Sequence, residues 1–344
     1  MPFDPAILAL LGASLTIACL LLPVTWFALD IARHWDLSSG SGRQLIRERR
    51  TYLVSTLLVL AFFTELASLV LFLHTIEGLA PQFVGAMCAT GVLGVNPWGW
   101  PALFLKIAVF LAGAVWLMLN RLDNQGYDYP LTRIKYSLLL AVIPLVWAEA
   151  ITQALFFLQM DRDVITSCCG SLFTPEDQSL AGDLSGLPPG GALVLFYLSG
   201  VAVLAVGGWY FHTGKNASPT PQRWRGGIGF AAAGALAFLT GLMAIVSVIS
   251  PYIYQLPHHH CPFCILEAGH DFIGYWLYIP LFGATALALG AGVIAPCARI
   301  ESLREVAIAD TRRFVSLALI LFLVFYGVAT GMIMRSNLIL FSSS

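Results

Sequence analysis

A short stretch near residue 260 gathers the side chains of this sequence that are best suited to bind a metal or to exchange disulfides. The letters HHHCPFC occupy positions 258–264, so three histidines precede a Cys-x-x-Cys motif. Cys261 and Cys264 are spaced closely enough either to form a disulfide or to hold one metal ion together. Neighbouring imidazoles and a helix N-terminus both favour the thiolate, which is the form that attacks disulfides and binds metals. The motif by itself therefore leaves both kinds of chemistry open.

The rest of the chain is too apolar for a soluble protein. Of its 344 residues 58% are hydrophobic and only 11% are charged, whereas about a quarter are charged in soluble domains. Apolar runs long enough to cross a bilayer predict eight transmembrane helices. They cover residues 6–29, 52–74, 101–120, 136–158, 191–212, 228–250, 272–296 and 314–334. The expected fold class is an all-α, polytopic membrane bundle that contacts the lipid bilayer, with residues 1–344 forming a single transmembrane domain.

The basic residues indicate which side of the membrane each connecting segment faces. Most of the 18 lysines and arginines fall in the segments that join the first helix to the second, the third to the fourth, the fifth to the sixth and the seventh to the eighth. Short cytoplasmic loops are enriched in these residues, so both termini are expected to be extracytoplasmic. The extracytoplasmic loops then cover residues of about 75–100, 159–190 and 251–271. The expected location is the inner (cytoplasmic) membrane of a bacterium.

The predicted topology brings further cysteines to the face that carries HHHCPFC. Cys88 falls in the first external loop, and Cys168 and Cys169 fall in the second. Thiolates and imidazoles together suit Cu(I) or Zn²⁺. The first hypothesis is therefore an extracytoplasmic site that binds or handles a soft metal ion, with copper favoured over zinc. Its candidate ligands are His258, His259, His260, Cys261, Cys264, His270, Cys88, Cys168 and Cys169.

A redox role for the same cysteines is the second hypothesis. A Cys-x-x-Cys at the outer end of a helix bundle, in an oxidising compartment, could pass electrons to a membrane quinone. The sequence CPFC resembles the active motif of membrane disulfide-oxidising proteins and vitamin K epoxide reductases, which carry Cys-x-x-Cys near the outer start of a helix. The resemblance implies a catalytic, quinone-proximal pair, Cys261 and Cys264, and a shuttle pair, Cys88 with Cys168 or Cys169. Those families are four-helix bundles, whereas this sequence predicts eight helices.

A structural role is the third hypothesis. A disulfide from Cys88 to Cys168 or Cys169 could hold the external loops over the bundle. The histidines would then be a solvated run before a helix. In that case the chain is a membrane scaffold whose activity belongs to other membrane or extracytoplasmic subunits of a complex. Whether the chain is itself an enzyme is left open.

Three charged residues fall inside predicted membrane helices, namely Glu65, Lys106 and Glu149. A charge at the bilayer centre costs about 2.5–3.5 kcal/mol on insertion scales, so these groups are expected to face the bundle interior and to pair. Lys106 would pair with Glu65 or with Glu149. Such a pair could fix helix packing, or it could belong to a pathway for protons or a ligand.

The segments around the external cysteines also look related to one another. Aligning Glu65, Glu149 and Gly241 places a cysteine at a similar distance in each following loop, at Cys88, Cys169 and Cys261. The similarity predicts three helix-loop-helix units whose loops converge on one external site.

Several other function classes find no support in the sequence. The formal net charge of −1 provides no basic field for nucleic acid. A Gly-x-x-x-x-Gly-Lys-Ser/Thr phosphate loop is absent, so ATP hydrolysis by that route is not expected. Cys264 is followed by Ile265 rather than by histidine, so the motif is not a c-type haem attachment site.

Overall fold

The computed structural model describes residues 4–36, 41–161, 164, 166, 189–213, 221–257 and 259–338. Within these ranges the regular structure is helical, as predicted, and contains no β-strand. We number the α-helices in chain order as α1 Pro5–His34, α2 Gly42–Leu79, α3 Ala89–Leu93, α4 Gly99–Asp123, α5 Thr132–Leu158, α6 Pro189–Thr213, α7 Pro221–Ala244, α8 Ser250–Tyr254, α9 Ile273–Ile294 and α10 Arg304–Arg335. Three of the predicted ligands, Cys168, Cys169 and His258, lie outside the described residues.

Eight segments of the described chain are long and apolar enough to cross a membrane, which confirms the predicted number. They are Pro5–His34, Gly42–Gln82, Gly99–Asp123, Thr132–Leu158, Gly190–Thr213, Trp224–Tyr254, Ile273–Arg299 and Glu301–Arg335. Large apolar side chains such as Leu15, Leu60 and Leu198 are exposed on these helices, as suits contact with lipid. The extracytoplasmic termini, the three related units and the single domain stay predictions.

Two helices, α2 and α10, start about three turns earlier than the hydrophobic pattern indicates. α2 starts at Gly42 rather than at residue 52, so arginines assigned to a loop lie on a helix. The side chain of Ser41 caps this extension by accepting a hydrogen bond from the Gln44 backbone N–H at 3.3 Å. α10 likewise starts at Arg304 rather than at residue 314. Arginine and glutamate favour helices, and hydropathy does not detect the polar extensions that they form.

The chain divides into two compact units, and the first comprises residues 1–84, 92–166 and 300–306. Its four long helices are α1, α2, α4 and α5. Both α5 and α2 pack against α1 and α4. Gly113 allows a close approach of α2 to α4, because a Cβ at this position would lie 2.6 Å from the Phe62 ring. The packing buries the charged side chains that α2, α4 and α5 carry within the predicted spans.

The second unit comprises residues 85–91, 167–299 and 307–344. In this unit α7 packs against α6 and α9. α10 joins the group through aromatic contacts, because the rings of Phe325 and Tyr326 pack against Phe196 on α6 at centroid distances of 5.8 and 4.6 Å.

The helix that leads to the Cys-x-x-Cys motif is irregular. After Ala244 the chain passes through a π-helical turn, Ile245–Ile249, before α8 begins. Pro251 lacks a backbone N–H, so an uninterrupted α-helical ladder cannot continue through this region. α8 ends at Tyr254, and the next residue, Gln255, has a left-handed φ of 55°. The chain thereby turns away from the helix and enters the segment that carries the cysteines.

Candidate functional site

Three cysteines of the second unit form one buried cluster, Cys88, Cys261 and Cys264. Their Sγ atoms all lie within 4.8 Å of one another, and the Sγ atoms of Cys88 and Cys261 are 3.0 Å apart. Cys88 is 1% exposed and Cys261 3% exposed, whereas Cys264 is partly exposed. We refer to these three residues as the sulfur cluster. Solvent or a redox partner can therefore reach it most directly at Cys264.

Two tyrosines fix the backbone of the Cys-x-x-Cys motif. The hydroxyl of Tyr254, at the end of α8, donates to the Cys261 carbonyl at 2.7 Å. The hydroxyl of Tyr278, in α9, donates to the Pro262 carbonyl at 2.8 Å. Burial of Phe263 between the cysteines holds the turn against the unit. The two membrane-spanning helices that flank the motif thus set its position.

Cys261 accepts several hydrogen bonds at the centre of the cluster. The Phe263 backbone N–H donates to Cys261 Sγ at 3.4 Å, and Thr90 Oγ1 lies 3.2 Å from the same sulfur. Hydrogen bonds from the thiols of Cys264 and Cys88 lower the pKa of Cys261. The hydrogen bond with Cys261 raises the pKa of Cys264. The arrangement therefore favours one thiolate, at Cys261, between two protonated thiols.

The three described histidines that were predicted as ligands, His259, His260 and His270, make other contacts. His260 Nδ1 lies 3.1 Å from the Val246 carbonyl in the π-helical turn. The rings of His259 and His270 pack against Tyr254, with centroid distances of 4.3 and 4.7 Å. Burial lowers the pKa of His259, and the nearby His270 lowers it further. Among the described residues no histidine nitrogen joins the three sulfurs within 4.8 Å, so the donors that these residues bring together are all sulfur.

Sequence reasoning missed Thr90, Tyr254 and Tyr278. Thr90 follows Cys88 by two positions in the letters CAT, and Tyr254 precedes the histidines by four. Their proximity in sequence is a weak signal, because tyrosine is in any case enriched at membrane–water interfaces. Tyr278 belongs to the next helix, and only the folded unit brings its hydroxyl to the motif.

The charged residues of the predicted spans meet in the first unit. Lys106 Nζ lies 2.6 Å from Glu149 Oε1 and donates a hydrogen bond to Ser68 Oγ at 2.7 Å. Glu65 is 5% exposed and lies within electrostatic range of both Glu149 and Lys106. We refer to Glu65, Lys106 and Glu149 as the carboxylate cluster. The structure therefore pairs Lys106 with Glu149 and leaves Glu65 as a second, nearby acid.

Comparisons with protein-family models, with curated proteins and with solved structures find no match to this chain. The chemistry of the sulfur cluster must therefore be inferred from its geometry. Three sulfurs are the smallest set that can hold one disulfide and a thiolate that attacks it. Three thiolates are also a soft ligand set of the kind that binds Cu(I).

Proposed function

We propose that the sulfur cluster is the thiol–disulfide exchange centre of a membrane oxidoreductase, on the extracytoplasmic side of the membrane. The observation that carries the proposal is the position of Cys261, whose sulfur lies 3.0 Å from that of Cys88 and interacts by hydrogen bonding with the thiols of both Cys88 and Cys264. In thiol–disulfide exchange a thiolate attacks one sulfur of a neighbouring disulfide, and the other sulfur of that disulfide leaves. All three sulfurs must therefore lie close together. Cys261 can form a disulfide with Cys88 or with Cys264, so its sulfur is common to the two alternative disulfides.

The exchange step can be written with these three sulfurs alone. When Cys261 and Cys264 form a disulfide, the Cys88 thiolate attacks Cys261 Sγ. The Cys88–Cys261 bond forms, the Cys261–Cys264 bond breaks, and Cys264 leaves as a thiolate. Oxidation of two thiols to a disulfide releases two electrons and two protons, and we propose a membrane quinone as their acceptor, which is reduced to the quinol. The resemblance of CPFC to the motif of quinone-linked membrane enzymes supports this acceptor.

The burial of the sulfur cluster favours thiol–disulfide exchange over a metal site with a permanent net charge. Cys88 and Cys261 are almost fully buried, and an uncompensated charge in such a place is costly. A disulfide with one remaining thiol is neutral. Three thiolates around Cu(I) would instead carry a net charge of −2 by simple addition of formal charges. The exchange reaction needs only one thiolate at a time, so it suits the buried environment better than permanent metal binding by three thiolates does.

A Cu(I) site is the second candidate, and the convergence of three sulfurs within 4.8 Å favours it. Soft thiolates select Cu(I), whereas structural zinc sites almost always have four ligands. The described residues supply three sulfurs to this cluster, so a zinc site would need a fourth ligand from elsewhere. Copper is accordingly the metal to test first.

The two candidates predict different behaviour of the purified protein. The protein is prepared in lipid nanodiscs without a histidine tag and its metal content is measured. After mild reduction and removal of the reductant, its free thiols are counted before and after addition of a short-chain quinone. We expect metal-free protein that loses two thiols per quinol formed. Cys297→Ala is the matched control, since Cys297 is buried but its sulfur contacts the Val293 carbonyl rather than the cluster. This variant should react like the parent.

Two other results would replace the proposal. Copper that copurifies in a one-to-one ratio, protects the thiols from the quinone and is lost in Cys261→Ala would establish the metal candidate. A metal-free protein whose disulfides neither quinone nor quinol alters would establish the structural hypothesis, in which the chain is a scaffold for partner subunits.

A further inference from the structure

Glu65 lies in the interior of the first unit without a partner for one of its oxygens. It is 5% exposed, and Glu65 Oε1 is buried and has no hydrogen-bond partner among the described residues. The side chain lines a narrow cavity between α1, α2 and α5, and its other lining residues are apolar, for example Leu21, Phe62 and Val146. A carboxylate in such surroundings would be costly in its ionised form.

The nearby charges do not neutralise both acids. The carboxylate cluster contains two carboxyl groups and one ammonium group, and Lys106 contacts Glu149 at 2.6 Å and Ser68 at 2.7 Å. Glu149 Oε2 is also buried and accepts no hydrogen bond within the described part of the chain. The titratable groups within electrostatic range of Glu65 are Glu149 on α5 and Lys106 on α4. The cluster therefore lacks one positive charge and has an excess of acceptors.

A second buried lysine–carboxylate pair in the same unit shows what a satisfied pair looks like. Lys135 Nζ lies 2.6 Å from Asp123 Oδ2 and donates to Asn120 Oδ1 at 3.0 Å. The carboxylate of Asp123 also accepts hydrogen bonds from the Leu131 backbone N–H and from the Thr132 hydroxyl, both at 2.8 Å. One acid faces one base there, and both carboxylate oxygens have donors. The carboxylate cluster differs from this pair in both respects.

We propose that Glu65 is an exchangeable proton-binding site inside the membrane-spanning part of the first unit, and that the Lys106–Glu149 ion pair is its fixed counterpart. A proton on Glu65 makes the net charge of the carboxylate cluster zero. It also converts a carboxylate oxygen that lacks a hydrogen-bond donor into a hydroxyl group that can itself donate. A bound metal cation fits less well, because hard cations require about six oxygen ligands and the cavity has room for only about one water molecule. This site is independent of the thiol chemistry proposed for the second unit.

Infrared spectroscopy of the protein in nanodiscs tests the proposal, because a protonated carboxyl group has a C=O stretching band distinct from that of a carboxylate. Near neutral pH we expect one such band from the interior, shifted on transfer to deuterated buffer because the proton exchanges. Glu65→Gln should remove the band. Glu149→Gln should also remove it, because Lys106 is then free to serve as the counterion of an ionised Glu65.

The controls separate this assignment from general effects on the protein. Glu305→Gln, at an exposed acid, should leave the band unchanged, and thermal unfolding of each variant shows whether it is folded. A band that persists in folded Glu65→Gln would overturn the proposal. A parent protein without the band near neutral pH would also overturn it, and so would a band that appears only when sodium is removed, since that would indicate a cation in place of the proton.

Discussion

The sulfur cluster and the carboxylate cluster are both buried, but different kinds of structure hold them. The carboxylate cluster is built from side chains in the middle of three long helices, α2, α4 and α5. The sulfur cluster is built from segments that connect helices, and hydrogen bonds from Tyr254 and Tyr278 fix one of them. Changes in the carboxylate cluster should therefore act mainly on folding, and changes in the sulfur cluster mainly on reactivity.

The largest expected effect on stability is that of Lys106→Met. This substitution leaves Glu149 buried without its counterion, and breaking a buried ion pair typically costs about 3–5 kcal/mol. We expect a loss of that size, measured by unfolding in mixed detergent micelles. The double variant Lys106→Met/Glu149→Gln should recover much of the loss, because no uncompensated charge remains. Strictly additive losses would show that the two side chains do not interact.

A smaller effect is expected from removing one of the tyrosine anchors. Tyr254→Phe deletes the hydroxyl that binds the Cys261 carbonyl, and a typical intramolecular hydrogen bond contributes about 0.5–1.5 kcal/mol. We expect a stability loss in this range together with slower quinone-dependent thiol oxidation. Tyr197→Phe is the matched control, since its hydroxyl pairs with Thr330 on an exposed face. If both variants oxidise at the same rate, the tyrosine anchor does not position the sulfurs.

The smallest expected effect is a change in titration of Cys261. Its pKa is lowered by hydrogen bonds from the thiols of Cys264 and Cys88, so the thiolate persists to a lower pH than an ordinary thiolate does. Cys88→Ala removes one donor and should raise this pKa, so less thiolate remains at mildly acidic pH. Ultraviolet thiolate absorbance, recorded as the difference from Cys261→Ala, measures the titration. An unchanged midpoint in Cys88→Ala would mean that Cys88 does not donate to Cys261.

The sequence was sufficient to predict the eight helices of the described residues that are long and apolar enough to cross a membrane, because each carries the apolar run that a bilayer requires. It was not sufficient to predict where α2 and α10 begin, since their first turns are polar and hydropathy does not detect them. The placement of Cys88 and the Cys-x-x-Cys motif in loops on one predicted face anticipated that their sulfurs would meet. The histidines illustrate the limit. Only tertiary structure places His259 and His270 against Tyr254 rather than among the sulfurs.

The central claim is that Cys261 is the sulfur shared by two alternative disulfides, and disulfide mapping by mass spectrometry tests it most directly. Single variants are reduced, treated with a short-chain quinone and quenched with an alkylating reagent. We predict a Cys88–Cys261 disulfide in Cys264→Ala, a Cys261–Cys264 disulfide in Cys88→Ala, and no quinone reduction in Cys261→Ala. Quinone reduction at the parent rate by Cys261→Ala, with a Cys88–Cys264 disulfide as its product, would contradict the account.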